Sequence, residues 1–599
     1  MADPKKIEGT DARSRPLTGR PVIAGTQGVI SSGHYLTSMA GMRMMLSGGN
    51  AFDAAVAAVF AAAVIEPIAA FSLGCEAVFM LYHPGSGDLL SLSGQGVAPA
   101  GATLDLYRGR GLDAIPTGPG PLAPLSFTVP GVVHAAMSLL ERYGTKTLGE
   151  VLSPSVHYAE HGIPNYQYMI DALDLEASKQ QFEQFPPGGM EVFYEGGAPP
   201  RPGSLLVQSA MAGTLKVLVA AENRAGGSRL RGLRAARDEF YKGAVAQSIA
   251  ECSRRVGGVM DAGDLAGYSS SYEEPLKTTF GGYEICGQQT WSQAGVLMQA
   301  LNILERFDLK GMGHNSPAYI HTLAEALKLA LADREAFYGD PDYADIPVDG
   351  LLSKEYAADR ARKIDPGRAY PELPPPGDPW RYSSSNARQA DVPAPVGGTQ
   401  DIGPNDEQGT THIAAMDRDG NIVCATPSGG SFGKSVFFPE LGFTLSTRIE
   451  MFNLNEGHPN VLAPGKRPRT TLVNYIAVKD GEPVMTFGCP GGDHQAQANL
   501  QLMLNTLLFG MNPQEAIEAP RFATDSVTNS FFPHEYLPGQ LSIEEEIAGD
   551  TAEALRVLGH KIAAGEVCGM GATVAVRDIE TGVLSTGADP RRACYALSW

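Results

Sequence analysis

The sequence predicts a layered α/β protein in which short strands pack together and helices cover them. Three observations lead to this fold class. An alanine-rich apolar run at residues 54–65 is too short to cross a bilayer and is typical of a buried helix. Apolar residues in the middle of the chain recur at helical spacing, and short strands with one helix among them fill the last third.

The first elements are a helix and a hairpin. Asn50 follows a Gly-Gly turn and is a candidate N-cap for the alanine-rich helix, which must end at Glu66 because Pro67 cannot continue it. Residues 77–82 and 89–92 then form two apolar runs on either side of a Pro-Gly-Ser-Gly turn. We expect a buried helix followed by a buried hairpin.

The remaining elements follow from periodicity. Helices are predicted at 131–143, 211–223 and 316–338, the last with Leu323, Leu327 and Leu331 on one face. Strands are predicted at residues 411–416, 421–426, 475–478, 484–487 and 573–577, and a helix at 495–509. No internal repeat is evident.

Composition narrows the range of functions. A formal charge of −20 argues against nucleic acid or an anionic membrane as the main partner, because phosphate binding requires clustered cations. The seven cysteines include no C-x-x-C pair, so neither a zinc site nor a disulfide scaffold is indicated. With no signal peptide evident either, we expect a cytoplasmic enzyme that uses no metal and no cofactor.

The junction at Gly409-Thr410 carries the chemistry. Nine prolines lie between Pro366 and Pro404, which predicts a flexible tail from about residue 364 to residue 409, and a strand begins directly after it. If the Gly409-Thr410 bond breaks, Thr410 gains a free amine beside its hydroxyl and becomes a nucleophile with its own base. A Thr-Thr pair is otherwise ordinary strand sequence.

Two further segments are candidates for the site. Gly491 and Gly492 follow a strand, and their N–H groups could form an oxyanion hole, although a plain strand-to-helix turn has the same pattern. The segment 463–472 combines three cations with Thr470 and Thr471, which suits either a pocket for a polar or anionic substrate or a solvated loop.

Ser431 lies in both a G-x-S-x-G and an S-x-x-K pattern, which are marks of serine acyl enzymes. The G-x-S-x-G elbow requires a helix directly after the serine. Residues 436–442 are instead typical of an extended run that ends in a proline turn, which disfavours Ser431 as a nucleophile.

Taken together, these segments resemble the γ-glutamyltranspeptidases and their relatives among the N-terminal-nucleophile hydrolases. The matching motifs are Gly48 to Ala58, Ala332-Asp333-Arg334, Gly339-Asp340-Pro341, Thr410-Thr411-His412, Gly465-Lys466-Arg467-Pro468, Pro490-Gly491-Gly492, Gly559-His560 and Asp589-Pro590-Arg591-Arg592.

The resemblance implies a four-layer αββα sandwich and a precursor that cleaves itself into a large subunit, 1–409, and a small subunit, 410–599. Thr410 would attack the Gly409 carbonyl during maturation and the substrate amide during turnover. By motif, the oxyanion donors would be Gly491 and Gly492, the supporting hydroxyls Thr411 and Ser428, and the substrate-binding hydroxyls Thr470 and Thr471.

The sequence departs from this family at the groups that hold a γ-glutamyl donor. Leu104 stands where the family has an arginine, and Met451 stands at about the position of an acidic residue. The Thr447-Arg448 step resembles instead the acylase-like and amidase-like branch, in which Arg448 would bind a substrate carboxylate; the alternative is that Arg448 forms a structural salt bridge. These departures predict an amide hydrolase or acyltransferase that acts on a substrate other than glutathione.

Two alternatives stay open: a true γ-glutamyltransferase with a rearranged clamp, and an unprocessed, non-catalytic relative that only binds a ligand. The partners we expect are a small amide substrate and the two subunits of one precursor. Nucleic acid and membranes are not expected, and a homo-oligomer of the processed heterodimer is left open.

Overall fold

Two seven-stranded sheets form the centre of the protein in a computed structural model that describes residues 18–186, 188–384, 409–430, 432–565 and 569–599. The strands of the described residues are β1 (Ile23–Gly25), β2 (Gly28–Ser32), β3 (Glu76–His83), β4 (Asp88–Gly94), β5 (Ile163–Pro164), β6 (Leu205–Leu206), β7 (Ser271–Glu273), β8 (Leu276–Phe280), β9 (Tyr283–Gly287), β10 (Ile413–Asp417), β11 (Ile422–Ser428), β12 (Phe437–Phe438), β13 (Phe443–Thr444), β14 (Tyr475–Lys479), β15 (Glu482–Gly488), β16 (Phe522–Thr524), β17 (Gln540–Ile543), β18 (Lys561–Ala564), β19 (Thr573–Arg577), β20 (Leu584–Ala588) and β21 (Tyr595–Ser598).

Helices surround these sheets. In the described part of the chain they are α1 (Tyr35–Leu46), α2 (Ala51–Ile65), α3 (Leu104–Arg108), α4 (Val132–Tyr143), α5 (Leu148–His161), α6 (Gln167–Leu173), α7 (Glu176–Gln184), α8 (Met190–Phe193), α9 (Ser209–Ala225), α10 (Arg229–Tyr241), α11 (Ala244–Arg255), α12 (Ala262–Gly267), α13 (Ala294–Leu304), α14 (Leu309–Met312), α15 (Pro317–Phe337), α16 (Val348–Leu351), α17 (Lys354–Ala361), α18 (Gln495–Met503), α19 (Pro513–Glu518) and α20 (Asp550–Val557).

Both large sheets combine strands from the two sides of the Gly409-Thr410 junction. The first sheet has the order β1-β20-β19-β15-β14-β9-β8, and the second has the order β21-β2-β10-β11-β3-β4-β7. β10 and β11 lie in the middle of the second sheet, where β10 pairs antiparallel with β2 and β11 pairs antiparallel with β3. The chain that begins at Thr410 therefore supplies interior strands.

The side chains of β10 show how the layers form. Ile413 and Ala415 face a core shared with the helices, whereas Ala414 and Met416 face a separate core that also contains Ile476 of the other sheet. This alternation follows from the two-residue period of a strand. The sheets pack face to face with helices outside, which confirms the predicted αββα sandwich.

The alanine-rich helix lies directly behind the second sheet. The side chain of Asn50 caps α2 through a capping box with Asp53, and every residue of α2 is buried. Small side chains allow this close packing, and Pro67 stops the helix as predicted. The short 3₁₀ turn that follows, Pro67–Ala69, carries the end of α2 to Thr410.

The other predicted helices and strands are also present, with ends shifted by a few residues. The helix predicted at 495–509 is divided into α18 and a π-helical turn at Leu504–Leu508. No helix among the described residues is long and apolar enough to span a bilayer. The six described cysteines are buried, and Cys568 lies outside the described residues.

The predicted flexible tail does not begin at residue 364. Ala369 N–H donates to the Leu558 carbonyl at 2.7 Å, and Gly377 N–H donates to Asp333 at 2.8 Å. These bonds hold residues 364–384 against α15 and the C-terminal part, because proline-rich chain without its own ladder can still satisfy its donors on a neighbouring surface. The remainder of the predicted tail, 385–408, lies outside the described residues.

Candidate active site

Thr410 lies at the entrance to β10 and is almost fully buried, with 4% of its surface exposed. Its N–H donates to the Ala69 carbonyl, just after α2, and its own carbonyl accepts a 2.8 Å hydrogen bond from Arg592 Nη1. Its φ is +81°, a region that a β-branched residue rarely occupies. The backbone of Thr410 is therefore strained and held at both ends.

The Thr410 hydroxyl belongs to a short hydrogen-bond chain. Thr410 Oγ1 donates to Ser428 Oγ at 2.8 Å, and Arg448 Nη2 donates to the same oxygen at 2.6 Å. Ser428 ends β11, which is paired with β10 through register Ile413 to Ala425. The hairpin of β10 and β11 thus aligns the two hydroxyls.

Arg448 is completely buried, and desolvation lowers its pKa below the usual value for arginine. The carboxylates that oppose this lowering most strongly are Glu76 and Glu450. Burial raises the pKa of Glu76 to about 7, although Arg448 and the hydroxyls of Ser446 and Thr128 oppose that rise. This wall of the site therefore contains buried charged groups whose pKa values are shifted by desolvation.

Thr411 supports the site from the other side of the strand. Its N–H donates to the Pro427 carbonyl at 3.1 Å, and its hydroxyl lies against the carboxylate of Glu66. Glu66 also accepts from Thr37 Oγ1 at 2.6 Å, and burial raises its pKa. The hydroxyl of Thr411 therefore lies beside the end of α2, and among the described residues no hydrogen bond joins it to the Thr410 hydroxyl.

Gly491 and Gly492 turn the chain between β15 and α18 with φ values of +116° and +52°. Such values favour glycine. Neither N–H group donates a hydrogen bond to any described residue, and Gly492 lines the same cavity as Thr410. Two N–H groups without a partner among the described residues can stabilise an oxyanion that forms at this turn.

A buried ionic network holds this glycine turn. Arg334 on α15 forms an ion pair with Asp493, and Asp493 also accepts from Ser530 N–H and Ser530 Oγ, both at 2.7 Å. Gln293 Nε2 bridges the carbonyls of Thr471 and Gly492 at 2.9 and 2.8 Å. Residues far apart in sequence thus set the position of the turn.

Thr470 and Thr471 lie behind this turn. The Thr470 hydroxyl accepts from Leu472 N–H at 3.3 Å, and the buried Thr471 hydroxyl has no hydrogen-bond partner among the described residues. Neither threonine is among the residues that line the Thr410 cavity, which has about 410 Å³ of empty space, part of it open to solvent.

The comparison with known proteins agrees with this geometry. The family model of γ-glutamyltranspeptidase matches residues 37–599. The chain belongs to the γ-glutamyltranspeptidase family. The glutathione hydrolase proenzyme of Bacillus subtilis (strain 168) is 30% identical over 582 residues, which cover 96% of this chain and 92% of that protein.

Two solved structures extend the likeness to the fold. LmbA2991HD is 38% identical with a TM-score of 0.86, and the match covers 97% of this chain and 100% of that one. The cephalosporin acylase from Bacillus halodurans is 28% identical with a TM-score of 0.81, covering 98% and 99%. The relatives of this γ-glutamyltranspeptidase-family protein therefore include a hydrolase proenzyme and an acylase.

Within this family the chain differs at the predicted donor clamp. Leu104 begins α3 and packs against an apolar cluster that contains Ile449 and Phe452, and it does not line the Thr410 cavity. Met451 is buried, and its Sδ accepts from Arg448 Nη1 at 3.4 Å. Neither side chain offers a charge to an amino acid.

The segment 466–469 is buried, so the alternative that it forms a solvated loop is wrong. Arg467 pairs with Asp340 at 2.6 Å, Arg469 pairs with Glu335 at 2.5 Å, and Lys466 donates to two backbone carbonyls. The segment does not line the Thr410 cavity, although Arg469 reaches a second cavity beside it. These cations hold the loops that carry the site.

Sequence reasoning missed three residues of the site: Lys434 and Phe531, which line the cavity, and Arg592, which binds the Thr410 carbonyl. Arg592 closes the Asp-Pro-Arg-Arg motif and Lys434 is the lysine of the S-x-x-K pattern, whereas Phe531 had no signal in the sequence. The serine of the G-x-S-x-G pattern, Ser431, lies outside the described residues. The extended run predicted after it is present as β12.

One group in the described chain has the spacing of metal ligands: His321, Glu325 and His560. His321 Nδ1 already bonds His560 Nε2 at 2.9 Å, and Lys328 Nζ donates to Glu325 at 2.8 Å. The ammonium group supplies the positive charge that a metal ion would bring, so we assign no metal to these residues.

Proposed function

We propose that the chain is a self-processing amide hydrolase or acyltransferase that works through an acyl ester on Thr410. The observation that carries this proposal is the meeting of three features in one cavity. These are the hydrogen-bonded Thr410 hydroxyl, the strained φ of Thr410 directly after the Gly409-Thr410 bond, and the free N–H groups of the glycine turn.

Maturation would begin with attack of Thr410 Oγ1 on the carbonyl carbon of Gly409. The C–N bond breaks as an ester forms, and water then hydrolyses the ester to a Gly409 carboxylate and a free Thr410 amine. Cleavage removes the constraint on φ, and backbone strain of this kind is worth about 1–3 kcal/mol. The strain of the intact junction therefore favours its own cleavage.

Turnover would reuse the same atoms. The new amine, next to the Ala69 carbonyl, takes the hydroxyl proton as Thr410 attacks the substrate carbonyl and returns it to the leaving amine. Gly491 and Gly492 N–H groups stabilise the oxyanion. Water or a second amine then resolves the acyl-threonine, which gives hydrolysis or transfer.

Glutathione is not the substrate we propose, because the positions of the donor clamp hold Leu104 and Met451. A zwitterion that bound at Thr410 without charged groups at these two positions would lose hydration without compensation. The likeness to a cephalosporin acylase supports a substrate other than glutathione.

Mass spectrometry of the purified protein tests the proposal. We expect the 63.3 kDa chain to be replaced by two fragments that meet between Gly409 and Thr410. Thr410→Ala should stay intact, whereas the matched variant Thr410→Ser, which keeps a hydroxyl, should still be cut. Cleavage of Thr410→Ala after Gly409 would refute the mechanism.

A further inference from the structure

Several buried polar atoms on one face of β3 and β4 have no hydrogen-bond partner. Among the described residues, these atoms are Glu76 Oε2, both side-chain polar atoms of Gln95, and the hydroxyls of Ser91 and Ser93. The four side chains are at most 2% exposed. Buried polar groups of native proteins are almost always hydrogen-bonded, either to protein or to ordered water. A group of such atoms on two neighbouring strands therefore indicates a place that binds water.

The strand register places this polar group in line with the site. Glu76 on β3 lies opposite Ser428 on β11, and Ala77 lies opposite Gly94 on β4, so Gln95 lies beside Glu76. Because side chains alternate along a strand, these polar residues share the face of the sheet that turns toward the other sheet. They form a polar row that leads from the nucleophile into the space between the sheets.

Self-cleavage requires an acceptor for the proton of the Thr410 hydroxyl. In the precursor the nitrogen of Thr410 is an amide and cannot act as a base, unlike the free amine of a processed chain. The hydroxyl donates to Ser428 Oγ, which also accepts from Arg448 Nη2 and donates to none of the described residues. The proton of Ser428 is therefore available to an acceptor in the polar row.

Glu76 has a carboxylate oxygen that can take this proton. Its Oε1 accepts from Thr128 Oγ1 at 2.7 Å and from Ser446 Oγ at 2.5 Å. Its Oε2 is buried and accepts no hydrogen bond from the described part of the chain. Water between this oxygen and the Ser428 hydroxyl would complete a path for the proton.

The other acids around the site are engaged elsewhere. Asp493 forms an ion pair with Arg334. Both carboxylate oxygens of Glu450 accept hydrogen bonds. Glu66 lies against Thr411, whose hydroxyl has no hydrogen bond to the nucleophile among the described residues. Glu76 is thus the acid that the geometry favours.

The groups that face Glu76 allow it to change its protonation state. Burial raises the pKa of Glu76 to about 7, against the opposing effects of Arg448 and two hydroxyls. Tyr268 faces Glu76 from the end of α12, and burial followed by the charge of Glu76 raises the pKa of its phenol, which stays neutral. Cys75 and Glu450 act on Arg448. Near neutral pH, Glu76 can therefore both accept and release a proton.

We propose that Glu76 accepts the Thr410 proton during self-cleavage, through Ser428 and through water that Glu76 and Gln95 bind. As Thr410 Oγ1 bonds to the Gly409 carbonyl carbon, its proton moves to Ser428, and the Ser428 proton moves through the water to the Glu76 carboxylate. The C–N bond then breaks and one proton returns to the threonine nitrogen, so Glu76 ends ionised. Glu76 acts through Ser428 and does not touch the reacting carbonyl. This inference rests on the proposed function, since it concerns the maturation step of Thr410.

The pH profile of self-cleavage tests this role, because the precursor has no free Thr410 amine that could titrate. Pulse-labelled precursor from cell-free translation should convert to fragments about tenfold or more faster at pH 8 than at pH 5, as Glu76 ionises. Glu76→Gln should cleave slowly at both pH values and lose this rise, whereas Glu76→Asp, which keeps a carboxylate, should retain it. The matched control Glu450→Gln removes another carboxylate that acts on Arg448 and should also retain the rise.

An equally steep profile in Glu76→Gln, or loss of the rise in Glu450→Gln as well, would overturn the role of Glu76 while leaving the acyl-Thr410 mechanism intact. Cleavage of Thr410→Ala after Gly409 would instead count against the proposed function.

A second variant tests the water path and decides the matter if Glu76→Gln does not fold. Gln95→Leu replaces the buried amide with an apolar group of similar size. If water binds the amide, the thermal midpoint should fall and self-cleavage should slow severalfold. If no water binds there, removal of two unpartnered polar atoms should raise the midpoint. A raised midpoint with unchanged cleavage is incompatible with the proposed path.

Discussion

Among the described residues, Ser428 is the only side chain that is hydrogen-bonded to both the Thr410 hydroxyl and the Arg448 guanidinium. Its oxygen accepts from Thr410 Oγ1 and from Arg448 Nη2, so it aligns the hydroxyl and satisfies a cation at once. Arg592 has a complementary role, because it fixes the carbonyl of the same threonine. The orientation of Thr410 therefore depends on polar atoms from three separate segments.

Ser428→Ala should slow both self-cleavage and turnover by about tenfold, the equivalent of one hydrogen bond of about 1.4 kcal/mol. It also leaves Arg448 Nη2 without its partner. The rate of fragment appearance after expression or refolding measures the effect. Ser435→Ala is the matched control, since Ser435 is equally buried and its hydroxyl has no partner among the described residues. Equal rates in the two variants would contradict the role of Ser428.

Glu76, at the start of β3, makes stability depend on pH. Its pKa in the fold is about 7, above the ordinary value of 4.5, so its contribution is fully present below pH 4.5 and is lost as pH rises to about 7. The cause is burial, which outweighs the opposing effects of Arg448 and of the Ser446 and Thr128 hydroxyls on this pKa. The protonated acid is the form that the fold favours.

The free energy of unfolding of Glu76→Gln, relative to that of the wild type, should therefore increase by roughly 3 kcal/mol at most as pH rises from 5 to 8. Comparison of denaturant midpoints of the two proteins at both pH values measures this change. If the difference between them is the same at pH 5 and pH 8, Glu76 does not titrate in this range.

At the scale of elements, His412 joins the two sheets just before β10. Its ring nitrogens bond Thr573 Oγ1 at 2.6 Å and Asn474 Oδ1 at 2.9 Å, both in the facing sheet region. Burial lowers the pKa of His412 to about 3, so the ring stays neutral. Gly488, at the end of β15, leaves the space that this ring fills.

Gly488→Ala should destabilise the protein by about 1–3 kcal/mol, because the new methyl group would overlap the imidazole of His412. The matched control is Gly213→Ala in α9, where nothing lies within 4 Å of the added carbon. That change should stabilise by up to about 1 kcal/mol, as is usual for glycine inside a helix. Thermal midpoints of the two variants should move in opposite directions.

At the scale of the whole molecule, cleavage at Gly409 would cut a chain whose parts share both sheets. β10 and β11 lie between β2 and β3, and β14 pairs with β9. Separation would break interior strand pairs and expose the core between the sheets. The two predicted subunits are thus one folded body.

We therefore expect the fragments 1–409 and 410–599 to elute together from a sizing column and to separate only in denaturant. Analysis of the same fractions under native and denaturing conditions measures this. Recovery of a folded fragment 410–599 alone would contradict the shared-sheet argument.

Local sequence determined much of this protein. The Asn50 cap, the stop at Pro67 and the short apolar run within 411–416 predicted their elements, because capping, the proline ring and strand-forming side chains act within a few residues. The change from proline-rich sequence to strand sequence at Gly409-Thr410, together with the motifs that resemble the family, predicted the nucleophile and the glycine turn.

Only the tertiary structure decided what surrounds Thr410. Arg592 is 182 residues from Thr410 in sequence and donates a hydrogen bond to its carbonyl. Lys434 and Arg448, from separate segments, both lie near the face of the Phe531 ring. The same holds for the cationic segment 466–469, which the sequence left as a pocket or a solvated loop and which is buried in ion pairs. The partners of these charged and aromatic side chains are set by the packing of whole elements, so no local sequence pattern reveals them. For that reason the sequence predicts the nucleophile better than it predicts the acyl group that the nucleophile receives.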